Sequence, residues 1–238
     1  MKLSKIIQGC MTYGKWGKQL STEVIAKHIE SLVESGITTF DHADIYGDYT
    51  TEAEFGKALT VSAVDRADLQ LISKCGLQLP SEKRNNHLKH YQYDAAYILA
   101  SVEQSLQNLQ TDYLDVFLLH RPSPLMQIEE IQKAVTQLLQ QGKIKSFGVS
   151  NFDLHQLALL QEVVQIDYNQ IQISLTHSES LTNGLLAYMQ VKHIQPMAWS
   201  PLAVAVSSIS REEEGWKAED PRPDADRVGD RPVFGSRL

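Results

Sequence analysis

The chain has 238 residues, 42% of them hydrophobic, enough to bury one substantial core. A formal net charge of −7 and a pI near 5.6 argue against nucleic acid or an anionic membrane as the main partner. No stretch approaches the ~18 consecutive apolar residues of a membrane span, and Cys10 and Cys75 make neither a disulfide framework nor a metal-binding spacing, so the expectation is a soluble, cytoplasmic protein without a metal.

Short apolar runs alternate with helical patterns up to about residue 200. KLSKIIQG reads as a first strand. STEVIAKHIESLVESG then places Val24, Ile25, Ile29, Leu32 and Val33 at helical spacing, with Ser21 or Thr22 as its cap and Gly36 as its stop. ITTFDHA predicts a second strand, TEAEFGKALT a second helix and LQLISK a third strand. A long segment follows, after which Asp94 is placed to cap AAYILASVEQSLQNLQ. LDVFLLH is the fourth strand, and IEEIQKAVTQLLQQG its helix, ended by Gly142. IKSFGVS with LHQLALLQEVV, YNQIQIS with TNGLLAYMQVKH, and finally IQPMAWS complete the series. Seven such units imply a parallel sheet with right-handed crossovers. They fall one short of a (β/α)8 TIM barrel, so the predicted class is α/β with an apparently incomplete barrel. A doubly wound open sheet is the alternative, but no G-x-G-x-x-G follows the first strand.

Composition changes after PLAVAV. Residues 207–238 hold 14 charged residues in 32, against 37 in the preceding 206, with three prolines and no helical or strand period. The domain reading is a barrel over 1–206, truncated, and a charged tail over 207–238. That tail is either a solvated, disordered segment or a replaced end, and replacement is favoured because the break directly follows a strand-end motif.

Four polar residues fall at successive strand ends: Asp41 and Tyr46 after the second, Lys74 after the third, His120 after the fourth. Singly each has a bland role: a turn cap, a rim aromatic, a surface lysine, a core histidine. Together an acid, a phenol, an amine and an imidazole at one end of a barrel make a proton-transfer site. A carboxylate on Lys74 keeps the amine charged, and the cation beside the phenol lowers its pKa from the ordinary ~10. Tyr46 is then a general acid, and His120 is placed to hydrogen-bond a substrate oxygen. His42 should point to the other side of its strand, Cys75 reads as a small buried thiol, and Trp16 as either a rim or a pocket aromatic.

These motifs resemble the aldo-keto reductase family. FDHADIYG carries Asp41 and Tyr46, ISK carries Lys74, and LDVFLLHRP carries His120. GVSNF supplies Ser150 and Asn151, NQIQIS supplies Asn169 and Gln170, and MAWSPL supplies Trp199, Ser200 and Leu202. The likeness runs from about residue 3 to 203, and the DHADIYG signature is similar to that of a bacterial oxidoreductase subgroup. It implies NADPH-dependent reduction of a small-molecule aldehyde or ketone, with Tyr46 as proton donor assisted by the Lys74–Asp41 pair and His120. It also implies that Ser150, Asn151 and Gln170 hold the nicotinamide carboxamide, that Trp199 stacks on the ring, and that Ser200 and Leu202 complete the cofactor site. The family's eighth strand and its basic loop for the adenosine 2′-phosphate find no counterpart. Two other readings therefore stay open: a non-catalytic nucleotide-binding interaction protein, and an inactive truncated reductase. The motifs do not specify the carbonyl substrate or the oligomeric state.

Overall fold

The computed structural model describes residues 2–202. Seven strands form one sheet in chain order, every neighbouring pair parallel. They are β1 (Ile7–Gly9), β2 (Thr39–Asp41), β3 (Gln70–Cys75), β4 (Leu114–Leu119), β5 (Ile144–Ser150), β6 (Tyr168–Gln172) and β7 (Gln195–Trp199). Between them run α1 (Thr22–Glu34), α2 (Thr51–Val61), α3 (Ala95–Leu109), α4 (Ile128–Gln140), α5 (Leu154–Gln161) and α6 (Leu185–Val191). Unbroken sequential order is the signature of a (β/α)8 barrel, whereas a doubly wound sheet reverses order at a switch point. Among the described residues β1 pairs only with β2 and β7 only with β6, so the sheet is a curled, incomplete barrel. The boundary expected at residue 206 and the segment 207–238 lie outside the described residues.

Local chemistry fixes the helix ends. Ser21, not Thr22, caps α1, its Oγ accepting from the Val24 N–H at 3.4 Å. Asp94 caps α3 as its position predicts, accepting from Tyr97 N at 2.9 Å. On α5 the Asp153 and Gln156 side chains cap each other's backbone N–H groups at 2.9 Å.

Alternate strand residues face opposite ways. Leu71, Phe117, Leu119, Phe147 and Val149 pack outward with Ile98, Val102, Ile131 and Leu138 of the helices. Ile72, Val116, Leu118 and Met197 pack inward with Ile7 and Tyr168, forming an apolar plug. β4 is buried on both faces, which is why LDVFLL reads as an almost continuous apolar run. The one charge in that run, Asp115, is compensated: it accepts from Arg66 Nη2 at 2.8 Å and from Leu71 N at 2.9 Å. Gly148 lets β5 close against β6, because a Cβ there would stand 2.5 Å from the Tyr168 carbonyl oxygen and 2.7 Å from Leu118 Cδ2. The long segment after β3 holds an antiparallel pair that the hydrophobic pattern does not predict, Leu77–Gln78 with His90–Tyr91.

Candidate active site

The inward-facing set continues one layer beyond the plug. Lys74 lies two residues past Ile72, His120 two past Leu118, Ser150 two past Gly148, Gln170 two past Tyr168 and Trp199 two past Met197. A side-chain period of two therefore brings them all to the carboxyl-end mouth, directly above the plug. His120 stays in register because its N–H donates to the Cys75 carbonyl at 2.8 Å.

Three groups meet at Lys74. Its Nζ donates to Asp41 Oδ1 at 2.7 Å, to the His42 carbonyl at 2.7 Å and to Tyr46 Oη at 3.2 Å. That exhausts the three hydrogens of an ammonium. Tyr46 enters at the start of a short turn, Tyr46–Tyr49, that precedes α2. Its ring stands edge-on to His120, with centroids 6.0 Å apart at 79°, and edge-on to Trp16 at 6.3 Å. Trp16 packs with Ala43, Ile45, Leu77 and Leu79 and so forms part of the wall around the phenol.

Burial by itself pulls the Lys74 pKa down, but the Asp41 carboxylate and the Tyr46 hydroxyl outweigh it and hold the pKa above the ordinary lysine value. For Tyr46 the balance differs from the sequence expectation. Burial pushes the phenol above its usual pKa, and the downward pull of Lys74 does not overcome it. Spacing reveals the cation next to the phenol; it does not reveal how little water reaches either. Tyr46 is thus held as a protonated phenol. Burial, then the charges of Lys74 and Arg121, keep His120 well below the usual imidazole range, so its ring is neutral. Among the described residues its Nδ1 is buried without a hydrogen-bond partner.

The residues expected to hold a carboxamide are chained together. Trp199 Nε1 donates to Asn151 Oδ1 at 2.9 Å, Asn151 Nδ2 donates to Ser150 Oγ at 2.7 Å, and Ser150 Oγ donates to the Gln170 carbonyl at 3.1 Å. Asn151 takes up a left-handed backbone, φ 60°, to aim its amide across the strand ends. The Gln170 side chain is buried, and among the described residues its amide makes no hydrogen bond. Asn169 is on the wrong face: its Nδ2 donates to the Phe152 carbonyl at 2.9 Å, behind the sheet. The Arg121 guanidinium stands 5.8 Å from the Trp199 ring centroid. Ser200 and Leu202 are exposed just past β7, and among the described residues no hydrogen bond joins either to the cluster.

The residues set aside behave accordingly. His42 points outward against Phe55, with ring centroids 4.4 Å apart. Cys10 and Cys75 are fully enclosed, and burial pushes both thiols up, out of the reactive range. Tyr49 is a residue that no strand-end spacing singles out. The available signal is the preceding Gly47-Asp48 pair, both tolerant of left-handed backbone.

The model of the aldo/keto reductase family matches residues 5–227. The chain belongs to the aldo/keto reductase family. An oxidoreductase of Bacillus subtilis, YcsN, is 45% identical over 206 residues, covering 85% of this chain and 68% of that protein. A 6-dehydroglucose reductase of Agrobacterium fabrum is 42% identical over 205 residues, covering 85% and 69%. Among solved structures, the holo form of aldo-keto reductase AKR11C1 from Bacillus halodurans superposes with a TM-score of 0.75 at 25% identity, covering 87% of this chain and 65% of that one. The chain thus spans about two thirds of the length of these three proteins. Among the described residues no helix is long and apolar enough to cross a membrane.

Proposed function

We propose that the chain reduces a small-molecule aldehyde or ketone to an alcohol with NADPH, Tyr46 giving the proton. The observation that carries this reading is the three-way contact at Lys74, with Asp41 at 2.7 Å and Tyr46 at 3.2 Å, beneath a neutral His120. A nicotinamide suits the residues at the mouth: the Gln170 amide has no partner among the described residues, and Ser150, Asn151 and Trp199 stand beside it. When bound, that group supplies the hydride.

The protein's part is proton transfer and orientation. Tyr46 Oη donates its proton to the carbonyl oxygen as negative charge develops there. An alkoxide is more basic than any phenolate, so a phenol of raised pKa still transfers its proton downhill. Lys74 stabilises the phenolate left behind, and Asp41 keeps the ammonium charged and in place. The neutral His120 ring offers an N–H to the same oxygen without competing for the proton.

Replacing Tyr46 with Phe tests this. Carbonyl reduction should fall by about 10²–10⁴-fold, the usual worth of a positioned acid, while NADPH binding followed by fluorescence stays unchanged. A variant of undiminished rate would end the reading. The substrate panel should include 6-dehydroglucose, since a relative carries that name. Saturable NADPH binding with no turnover across the panel would instead favour a nucleotide-binding scaffold.

A further inference from the structure

Directly after Tyr46 the backbone is left-handed for three residues in succession: Gly47 at φ 62°, ψ 31°, Asp48 at φ 59°, ψ 50°, and Tyr49 at φ 63°. L-residues visit this region singly, and glycine alone does so freely. A bulky residue such as Tyr49 stays there only when its surroundings hold it.

Backbone bonds from Tyr49 N to the Ile45 carbonyl and from Thr50 N to the Tyr46 carbonyl run through this turn, Ser81 hydrogen-bonds the Asp48 carboxylate, and three further sets of contacts hold it. Thr50 Oγ1 donates to the Gly47 carbonyl at 2.8 Å, a bond within the turn itself. Lys15 Nζ meets Asp48 Oδ2 at 3.0 Å, but the Lys15 side chain is 64% exposed and such pairs contribute little. Tyr49 makes the third set: its Oη accepts from Leu79 N at 3.0 Å and lies within reach of Gln78 Oε1 at 3.5 Å, while the Arg84 guanidinium stands 4.7 Å from its ring centroid. Leu77–Gln78 is the strand that follows Lys74 by three residues. The Tyr46–Lys74 and Tyr49–Leu79 contacts are therefore two rungs between the same two segments.

Resting on the reading of Tyr46 as proton donor, we propose that Tyr49 is its positioning residue. By clamping the strained turn to Leu79, Tyr49 keeps the Tyr46 phenol against Lys74. A glycine at position 48 takes up left-handed backbone without steric cost, so it should lessen the need for the clamp.

The test compares wild type, Tyr49→Phe and the double variant Asp48→Gly/Tyr49→Phe, each labelled with ¹³C at tyrosine Cζ, the Tyr46 resonance being assigned from Tyr46→Phe. In Tyr49→Phe, kcat should fall about tenfold with KM for NADPH and carbonyl within about twofold, and the Tyr46 resonance and its alkaline titration should move. In the double variant both should return towards wild type. An unmoved Tyr46 resonance in Tyr49→Phe overturns the inference, whatever the melting temperature does, because Tyr49 is then merely structural. A resonance that moves but does not return in the double variant overturns it too. If wild type turns over no carbonyl yet the resonance moves and returns, the catalytic reading fails and the positioning role stands.

Discussion

A lysine whose side chain has no exposed surface keeps its charge only while its three hydrogens have acceptors, and Lys74 has three. The arrangement makes Asp41 dependent on it in turn. Replacing Lys74 with Met leaves a carboxylate 12% exposed beside a phenol, with no opposing charge. Loss of one partner from a buried pair costs about 3–5 kcal/mol, so urea unfolding should register a drop of about that size. Adding Asp41→Asn should recover much of it, because no uncompensated charge then remains. If the double variant is no more stable than Lys74→Met, the ion pair does not account for the loss.

At the level of elements, the closest backbone approach described above is at Gly148. Its replacement by Ala pushes on the Tyr168 carbonyl and on Leu118 together, and overpacking of this kind costs about 1–3 kcal/mol. β5 and β6 also carry Ser150 and Gln170, so NADPH titration of Gly148→Ala should reveal weakened binding alongside a lowered urea midpoint. All seven strands were legible in the chain because short runs with strand-like patterning recur between segments of helical period. The hairpin Leu77–Gln78 with His90–Tyr91 was not, since two-residue strands have no period to detect. Nor does hydrophobic pattern encode handedness, which hid the turn after Tyr46. The outward face of Asn169 was readable, because it alternates with Tyr168 and Gln170 along a strand of period two. The opposite sign of the Tyr46 shift was not, because burial is a property of the assembled site.

At the scale of the whole molecule, the buried imidazoles of His42 and His120 each work against stability on acidification. Burial, then Lys74, lowers the His42 pKa to about 3, and His120 is lowered too. Below its ordinary ~6.5 an unfolded histidine binds a proton that the native one refuses, so falling pH favours unfolding between those values. The slope approaches about 1.4 kcal/mol per pH unit for each group. The buried carboxyls of Asp44 and Glu52, pushed up by burial, work in the opposite sense by holding protons in the native state. The contribution of His42 is therefore isolated by difference. Among the described residues neither ring nitrogen has a hydrogen-bond partner, so His42→Leu strands no polar group there, and its urea midpoints between pH 7 and 5 should decline less steeply than those of wild type. Parallel curves would contradict the assignment.

Alternation of faces along β3 also has a bearing on folding fidelity. Ser73, Lys74 and Cys75 are consecutive, and only Lys74 faces the mouth. A slip of β3 by one residue would exchange them, taking the ammonium away from Asp41 and Tyr46, breaking the bond from Ser73 Oγ to the buried Glu52, and turning a hydroxyl or a thiol towards the mouth. A slip therefore leaves the Asp41 carboxylate without its cation, and loss of one partner from a buried pair costs about 3–5 kcal/mol. The reactive residues thereby proofread the strand alignment: a chain that pairs wrongly forfeits its chemistry and its stability in the same step.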